Sequence, residues 1–279
     1  MTNPIADPLV ENVDTDALSD LVLIEATPDG VATVTINRAA RKNAFNAEVI
    51  GALHEAFNTL SDADGVRLVF LTGAGGAFSA GADLEWMRSA ADWTESENRE
   101  DAMGLASMLK ALNDLPQLTV ALVDGPAFGG GAGLVAACDL AYVTARSTFA
   151  FSEVKLGLTP ATISPYVVRA IGARNARALF ATGRVFSAEE ALGFGLATEV
   201  VADMSYFDSV RSRLSEQVRL CAPGAMADAK ALVDHVEHEE IDRGLMEETA
   251  RRIAARRVSE EGQEGVRAFL DKRKPAWAE

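Results

Sequence analysis

Cysteine is scarce in this chain. Its 279 residues hold two, Cys138 and Cys221, at no paired spacing. That excludes a disulfide scaffold and fits a reduced, cytoplasmic compartment. Histidine is nearly as rare, with His54, His235 and His238 the full set. None stands near the glycine-rich segment described below, which counts against a serine-hydrolase triad. His235 and His238 could share a helix face but bring no further ligands, so a solvated face explains them and no metal site is expected. No apolar run approaches the roughly 18 residues of a membrane span, and no P-loop pattern occurs. The segment Met1 to Asp20 lacks a Lys/Arg-rich start, so it does not read as a signal or transit peptide, and residues 1–19 are expected to form a poorly ordered tail. Cations are outnumbered: 26 Lys and Arg against 41 Asp and Glu leave a net charge of −15. Nucleic acid and anionic membrane surfaces are therefore poor partners, and any anionic ligand needs a local cationic patch.

What is present is an ordinary soluble composition, 48% hydrophobic and 24% charged, enough for one large core or two modest ones. Leu21 to Ile24 and Val31 to Ile36 flank Pro28-Asp29-Gly30, which predicts a β-hairpin. The spacing of Val49, Ile50, Leu53, Phe57 and Leu60 predicts a helix over 47–60. Buried strands are expected at 66–71 and 118–123, each followed by a glycine-rich loop and a helix, a recurrence that hints at stacked turns. Helices are expected at 165–171, 175–182 and 187–192, with a short strand at 197–201. From Met204 onward the pattern is helical. The organisation is thus an α/β core over 20–202 and an α-helical region over 203–279.

The most informative stretch runs from Val123 to Glu153. A strand ends at Asp124-Gly125-Pro126, then Gly129, Gly130 and Gly131 precede a buried helix. Glycines at a helix start leave N–H groups unpaired and let a ligand approach them, and the helix dipole favours negative charge there. Glu153 stands in apolar company, which suits either a desolvated proton-transfer group or a carboxylate paired with Lys155 or Arg146. Gly131 to Ala136 formally matches a dinucleotide fingerprint, but its first glycine falls too far past the strand. Ala80 and Gly81 sit on a strand–loop–helix turn that would present an N–H toward the space near Gly130. Asp83 reads as the N-cap of the following helix, and Trp86 and Met87 as pocket wall or core. Arg41-Lys42 and Lys272-Arg273-Lys274 are either solvated charges or a hold for phosphates.

Taken together, several ordered motifs resemble the crotonase superfamily, the enoyl-CoA hydratases and isomerases, along nearly all of residues 20–275. They are Asn37-Arg38 with Asn43 to Asn46, Ala77 to Leu84, Asp124 to Gly131, Cys138-Asp139, Phe151 to Gly157 and Phe269 to Lys274. The resemblance implies an α/β fold, a spiral of ββα turns followed by an α-helical trimerisation region, and a homotrimer or dimer of trimers. It implies an acyl-CoA thioester substrate, with coenzyme A part of the substrate and no separate cofactor. By position, the N–H groups of Ala80 and Gly130 would form an oxyanion hole, each such donor typically worth about 3 kcal/mol. Ala40, Gly81, Ala82 and Asp83 would line the CoA path, with Lys42 and a neighbouring subunit's Lys272 near the phosphates.

One departure matters. Hydratases of this superfamily use two glutamates; the second matches Glu153, and the first falls at Gly133. Hydration remains the first expectation, with Δ3,Δ2-enoyl-CoA isomerisation by Glu153 alone as the alternative and a non-catalytic acyl-CoA-binding protein as a third. Thr162, Ser164 or a water could stand in for the missing acid. The segment Phe151 to Val168 resembles bacterial 3-methylglutaconyl-CoA and isohexenylglutaconyl-CoA hydratases, which implies a branched substrate of the kind met in leucine breakdown. Losing a side chain at 133 is expected to open room beside the β-carbon.

Overall fold

The structure, a computed structural model, describes residues 20–278. The expected N-terminal tail, 1–19, lies outside the described residues. Strand β1 (Val22–Thr27) and strand β2 (Val31–Ile36) form the hairpin, paired antiparallel from Val22↔Ile36 to Thr27↔Val31. The turn works because Gly30 takes φ +79°, where a side chain would also strike the Gly65 carbonyl. Helix α1 (Ala47–Ser61) is capped by Asn46, whose side chain accepts from the Val49 N–H, and it buries the apolar face the spacing predicts. Strand β3 (Leu68–Gly73) begins two residues later than the sequence suggests. Arg67 is held in the preceding turn by its N–H bond to the Gly30 carbonyl, so pairing starts at Leu68↔Val31.

Helix α2 (Leu84–Ala90) and helix α3 (Glu95–Asn113) follow, the latter opened by a capping box between Thr94 and Glu97. Strand β4 (Leu118–Val123) leads through strand β5 (Pro126–Phe128) into helix α4 (Gly130–Ala137). Strands β6 (Leu140–Thr144) and β7 (Thr148–Ala150) come next, then a short 3-10 turn at Glu153–Leu156. The span α5 (Ser164–Thr182) holds two helical stretches that meet at a kink at Gly172, whose φ of +72° is not helical, in line with the two helices expected here. Strand β8 (Val185–Ser187), helix α6 (Ala188–Phe194) and strand β9 (Glu199–Val201) complete the α/β part.

The main sheet has the order β1-β2-β3-β4-β6-β9, parallel after the first hairpin, and β5-β7-β8 form a second sheet. Each parallel step is a strand–helix crossover, which is the α/β spiral the resemblance implies. One sheet face packs on α1, α3 and α4 through residues such as Leu53, Leu71, Leu109 and Leu134. The other face is closed by helix α7 (Phe207–Arg219), whose Val210, Leu214 and Val218 join Phe70, Leu122 and Tyr142. Arg211 adds its guanidinium 4.6 Å over the Phe70 ring and donates to Thr33 Oγ1 at 2.8 Å. The first helix of the 203–279 region thus shares the core of the sheet. Helices α8 (Pro223–Val236), α9 (Arg243–Val258) and α10 (Glu260–Leu270) lie beyond it with few buried side chains. Among the described residues, no helix is long and apolar enough to cross a membrane.

Candidate active site

Two loops meet above the parallel strands. Ser79 pairs with Ala127 of β5: its N–H bonds the Pro126 carbonyl and its carbonyl accepts from Phe128. On the opposite edge of the same segment, the Phe45 N–H donates to the Gly81 carbonyl and the Asp83 N–H to the Phe45 carbonyl. This parallel bridge turns the N–H of Ala82 away from Phe45, toward the side on which β5 and α4 lie. Gly81, at φ +86°, makes the approach possible, because a β-carbon there would stand 2.8 Å from the Phe128 carbonyl oxygen. Gly130 opens α4 and has no preceding turn to bond its N–H.

These facts correct one expected donor. The Ala80 N–H is already bonded to the Lys42 carbonyl at 2.9 Å, so it is not free for a ligand. The amide without a partner on this loop, among the described residues, belongs to Ala82. Extended backbone alternates direction at every residue, so an amide two positions away from the expected one shares its side only where the strand is regular; here the Gly81 turn breaks that register.

Glu153 reaches the same space from the turn after β7. A β-carbon on Gly129 would lie 3.2 Å from its Oε1, which sets the carboxylate against the first residues of α4. Its Oε2 is buried with no hydrogen-bond partner among the described residues. Burial pushes this carboxyl above the ordinary glutamate range, opposed in part by its own backbone N–H. Neither cation considered from the sequence neutralises it. Arg146 is bonded to Asp124, and Lys155 is exposed.

A cavity of about 540 Å³ joins these groups, with Ala82, Gly130, Glu153, Trp86, Met87 and Thr162 among its walls. Ala80 and Gly81 also border it. Several expected residues do not. Asp83 is 4% exposed and turned to Arg38, 2.5 Å away, while its other oxygen caps α2 through the Glu85 and Trp86 N–H groups, so no free carboxylate faces a ligand. Burial alone would raise its pKa; the Arg38 bond and the two backbone N–H groups outweigh that and hold it below the usual carboxylate range. Ala40 and Lys42 are exposed outside the cavity. Lys272 follows α10, exposed and outside the cavity walls of its own chain. Ser164 is half-buried, bonded to the Ala161 carbonyl, and off the cavity wall.

The room expected at Gly133 is also absent. A β-carbon there would sit 2.3 Å from Ile163 Cγ2, so that space is filled by a buried side chain. Ile163 and Asp101 are cavity residues that the sequence reading missed. Asp101 stands in the polar run of α3, where burial raises its carboxyl pKa; nothing in the local sequence distinguishes it from its exposed acidic neighbours. His235 and His238 lie exposed, and no metal-holding cluster occurs among the described residues.

Oxygen-directed amides, a desolvated carboxylate and an apolar cavity form an arrangement able to hold a carbonyl while a proton moves beside it. Comparison with known proteins agrees with that reading. A Shewanella pealeana enoyl-CoA hydratase superposes with a TM-score of 0.91 at 36% identity, covering 98% of this chain and all (100%) of that one. An enoyl-CoA hydratase domain-containing protein 3 of Danio rerio is 30% identical over 262 residues, 93% of this chain and 88% of its own. A 4-chlorobenzoyl coenzyme A dehalogenase from an Arthrobacter species is 35% identical over 196 residues, 70% of each chain. Residues 26–279 match the enoyl-CoA hydratase/isomerase family along almost their full run, and the chain belongs to that family.

Proposed function

We propose that this protein is an enoyl-CoA hydratase in which Glu153 is the proton carrier. The observation that carries the reading is the buried, unpartnered Oε2 of Glu153 in one cavity with the free amides of Ala82 and Gly130. The thioester oxygen accepts from both amides. Glu153 takes a proton from water as the water oxygen bonds the β-carbon. The electron pair moves onto the thioester oxygen as an enolate, and the same proton then passes to the α-carbon. Charge develops on an oxygen that two fixed dipoles already face, which is where such donors contribute most.

The resemblance over 151–168 supports a branched substrate such as 3-methylglutaconyl-CoA. Since Ile163 fills the space at Gly133, support for this substrate comes from charge instead: no carboxylate at 133 repels an acyl chain that ends in its own carboxylate. A second reading, Δ3,Δ2-enoyl-CoA isomerisation, is favoured by the hydrocarbon of Ile163 where a second acid would stand. There Glu153 would remove a proton from the α-carbon and return it to the γ-carbon. Lys42 and a neighbouring subunit's Lys272 would meet the CoA phosphates, Ala40 would line the path to them, and coenzyme A enters only as part of the substrate. Exposed Phe269 and Leu270 on α10, 81% and 70% accessible, support a homotrimer or dimer of trimers. The reduced cysteines suit the cytoplasm, where such thioesters are handled.

The test is turnover of 3-methylglutaconyl-CoA, crotonyl-CoA and a 3-enoyl-CoA side by side. Preference for the first supports the full reading. Preference for crotonyl-CoA leaves a hydratase without the branched specificity, and turnover of the 3-enoyl-CoA alone supports the isomerase. Coenzyme A binding without any turnover would overturn catalysis in favour of a binding protein.

A further inference from the structure

We propose that Ile163 is the specificity-determining residue of this cavity, the side chain that sets how broad an acyl chain can be beside the reacting carbons. The proposal rests on the reading that an acyl-CoA occupies the cavity. It begins with two glycines one helical turn apart: the Gly133 N–H bonds the Gly129 carbonyl at 3.0 Å. Gly129 is the N-cap of α4, with a non-helical φ of +50°, and Gly133 lies in the first turn that follows. A β-carbon at Gly129 would meet Glu153 Oε1 at 3.2 Å, and one at Gly133 would meet Ile163 Cγ2 at 2.3 Å and Cβ at 2.9 Å. Glu153 and Ile163 therefore both pack against the start of α4, and both border the cavity.

Ile163 is well placed to act as a fixed wall. It is 2% exposed and stands at the entry to α5, where its carbonyl accepts from the Val167 N–H at 3.1 Å. The neighbouring Ser164 ties back to the Ala161 carbonyl, and Pro165 restricts the backbone before it. A β-branched side chain on such a backbone has little rotamer freedom. Gly133 is then the complement of Ile163: any side chain at 133 must displace those methyl groups. A side chain at 133 therefore calls for a smaller residue at 163.

The experiment measures calorimetric Kd for butyryl-CoA and 3-methylbutyryl-CoA, and kcat/KM for the matching 2-enoyl-CoA pair, in the full-length protein. The variants are Ile163→Val, Ile163→Ala, Gly133→Ala and Gly133→Ala with Ile163→Ala. A methylene's worth of space in an apolar pocket changes discrimination by about tenfold or more. Ile163→Ala should therefore shift the branched-to-linear ratio by about that factor toward the branched chain, and Ile163→Val by less. Gly133→Ala should weaken binding of both chains, and the double variant should recover it. An unchanged ratio in Ile163→Ala, or in Ile163→Val should the alanine variant not fold, would overturn the proposal. So would a double variant no better than Gly133→Ala. Because the Kd ratio involves no reaction, it stands apart from the role of Glu153, whose failure would appear as full turnover in Glu153→Gln.

Discussion

Gly129 faces Glu153 so closely that a β-carbon at 129 would stand 3.2 Å from the carboxylate Oε1 and 3.9 Å from its carbon. Gly129 also takes φ +50°, in the left-handed region that disfavours side chains. The residue before the free amide of Gly130 thus fixes where the acid can lie. Gly129→Ala strains the backbone and needs the carboxylate to give by a few tenths of an ångström, so the rate should fall by less than the roughly 100-fold that about 1 Å of misplacement can cost. Steady-state kinetics should show kcat falling with much of the coenzyme A affinity retained.

Glu153→Gln removes the proton carrier but keeps its shape. Loss of a positioned general acid or base costs about 10²–10⁴-fold, so kcat should fall by that much while acyl-CoA still binds. The variant should also respond differently to pH. Burial raises the folded-state pKa of Glu153 above its ordinary 4.5. The unfolded chain therefore releases this proton first, and the stability tied to the protonated form, present below the unfolded pKa, is lost as pH rises through the folded pKa. Denaturant melts across that window should show a falling stability in the native protein and a flatter profile in Glu153→Gln.

Deleting a single backbone N–H separates the two alanines of the loop. An amide-to-ester exchange at Ala82 removes a donor with no internal partner, so the melting temperature should hardly move. An oxyanion donor is typically worth about 10²–10³-fold in kcat, and turnover should drop accordingly. The same exchange at Ala80 breaks the bond to the Lys42 carbonyl and should cost stability instead.

Asp83 is a structural residue by position and by partner. Asp83→Ala removes the cap of α2 and leaves Arg38, 17% exposed, without its carboxylate. A lost cap costs about 1 kcal/mol and an unpaired buried charge adds to it, so denaturation should report roughly 2–4 kcal/mol of destabilisation. Asp83→Asn, which can still cap, should recover part of that loss.

Phe269→Asp with Leu270→Asp places charge on exposed apolar surface of α10. If the proposed trimer forms through this face, sedimentation should show a single chain in the variant. An unchanged mass would mean that another face holds the assembly.

Much of the architecture was legible because its cues are local. Pro28-Asp29-Gly30 announces the hairpin, and the Val49-to-Leu60 spacing announces α1. The strands β5, β7 and β8 have three residues each, too short for an alternating pattern to register. Glu153 was legible as an acid in apolar company, yet its lack of an ion partner depends on where Arg146 turns. The donor on the Ala80–Ala82 loop was misplaced because sequence motifs locate a turn but not the direction of each N–H within it. Gly133 misled in another way: an absent side chain suggests empty space, and only the distant Ile163 shows that the space is taken.

The seating of α7 on the back of the sheet limits how this protein could be shortened. Cutting the chain after residue 202 would strip Phe207, Val210, Leu214 and Val218 from Phe70, Val120 and Tyr142, baring a sticky hydrocarbon floor. A minimal fragment would have to extend through Arg219, because the sheet that carries the cavity loops depends on α7 to cover its other face.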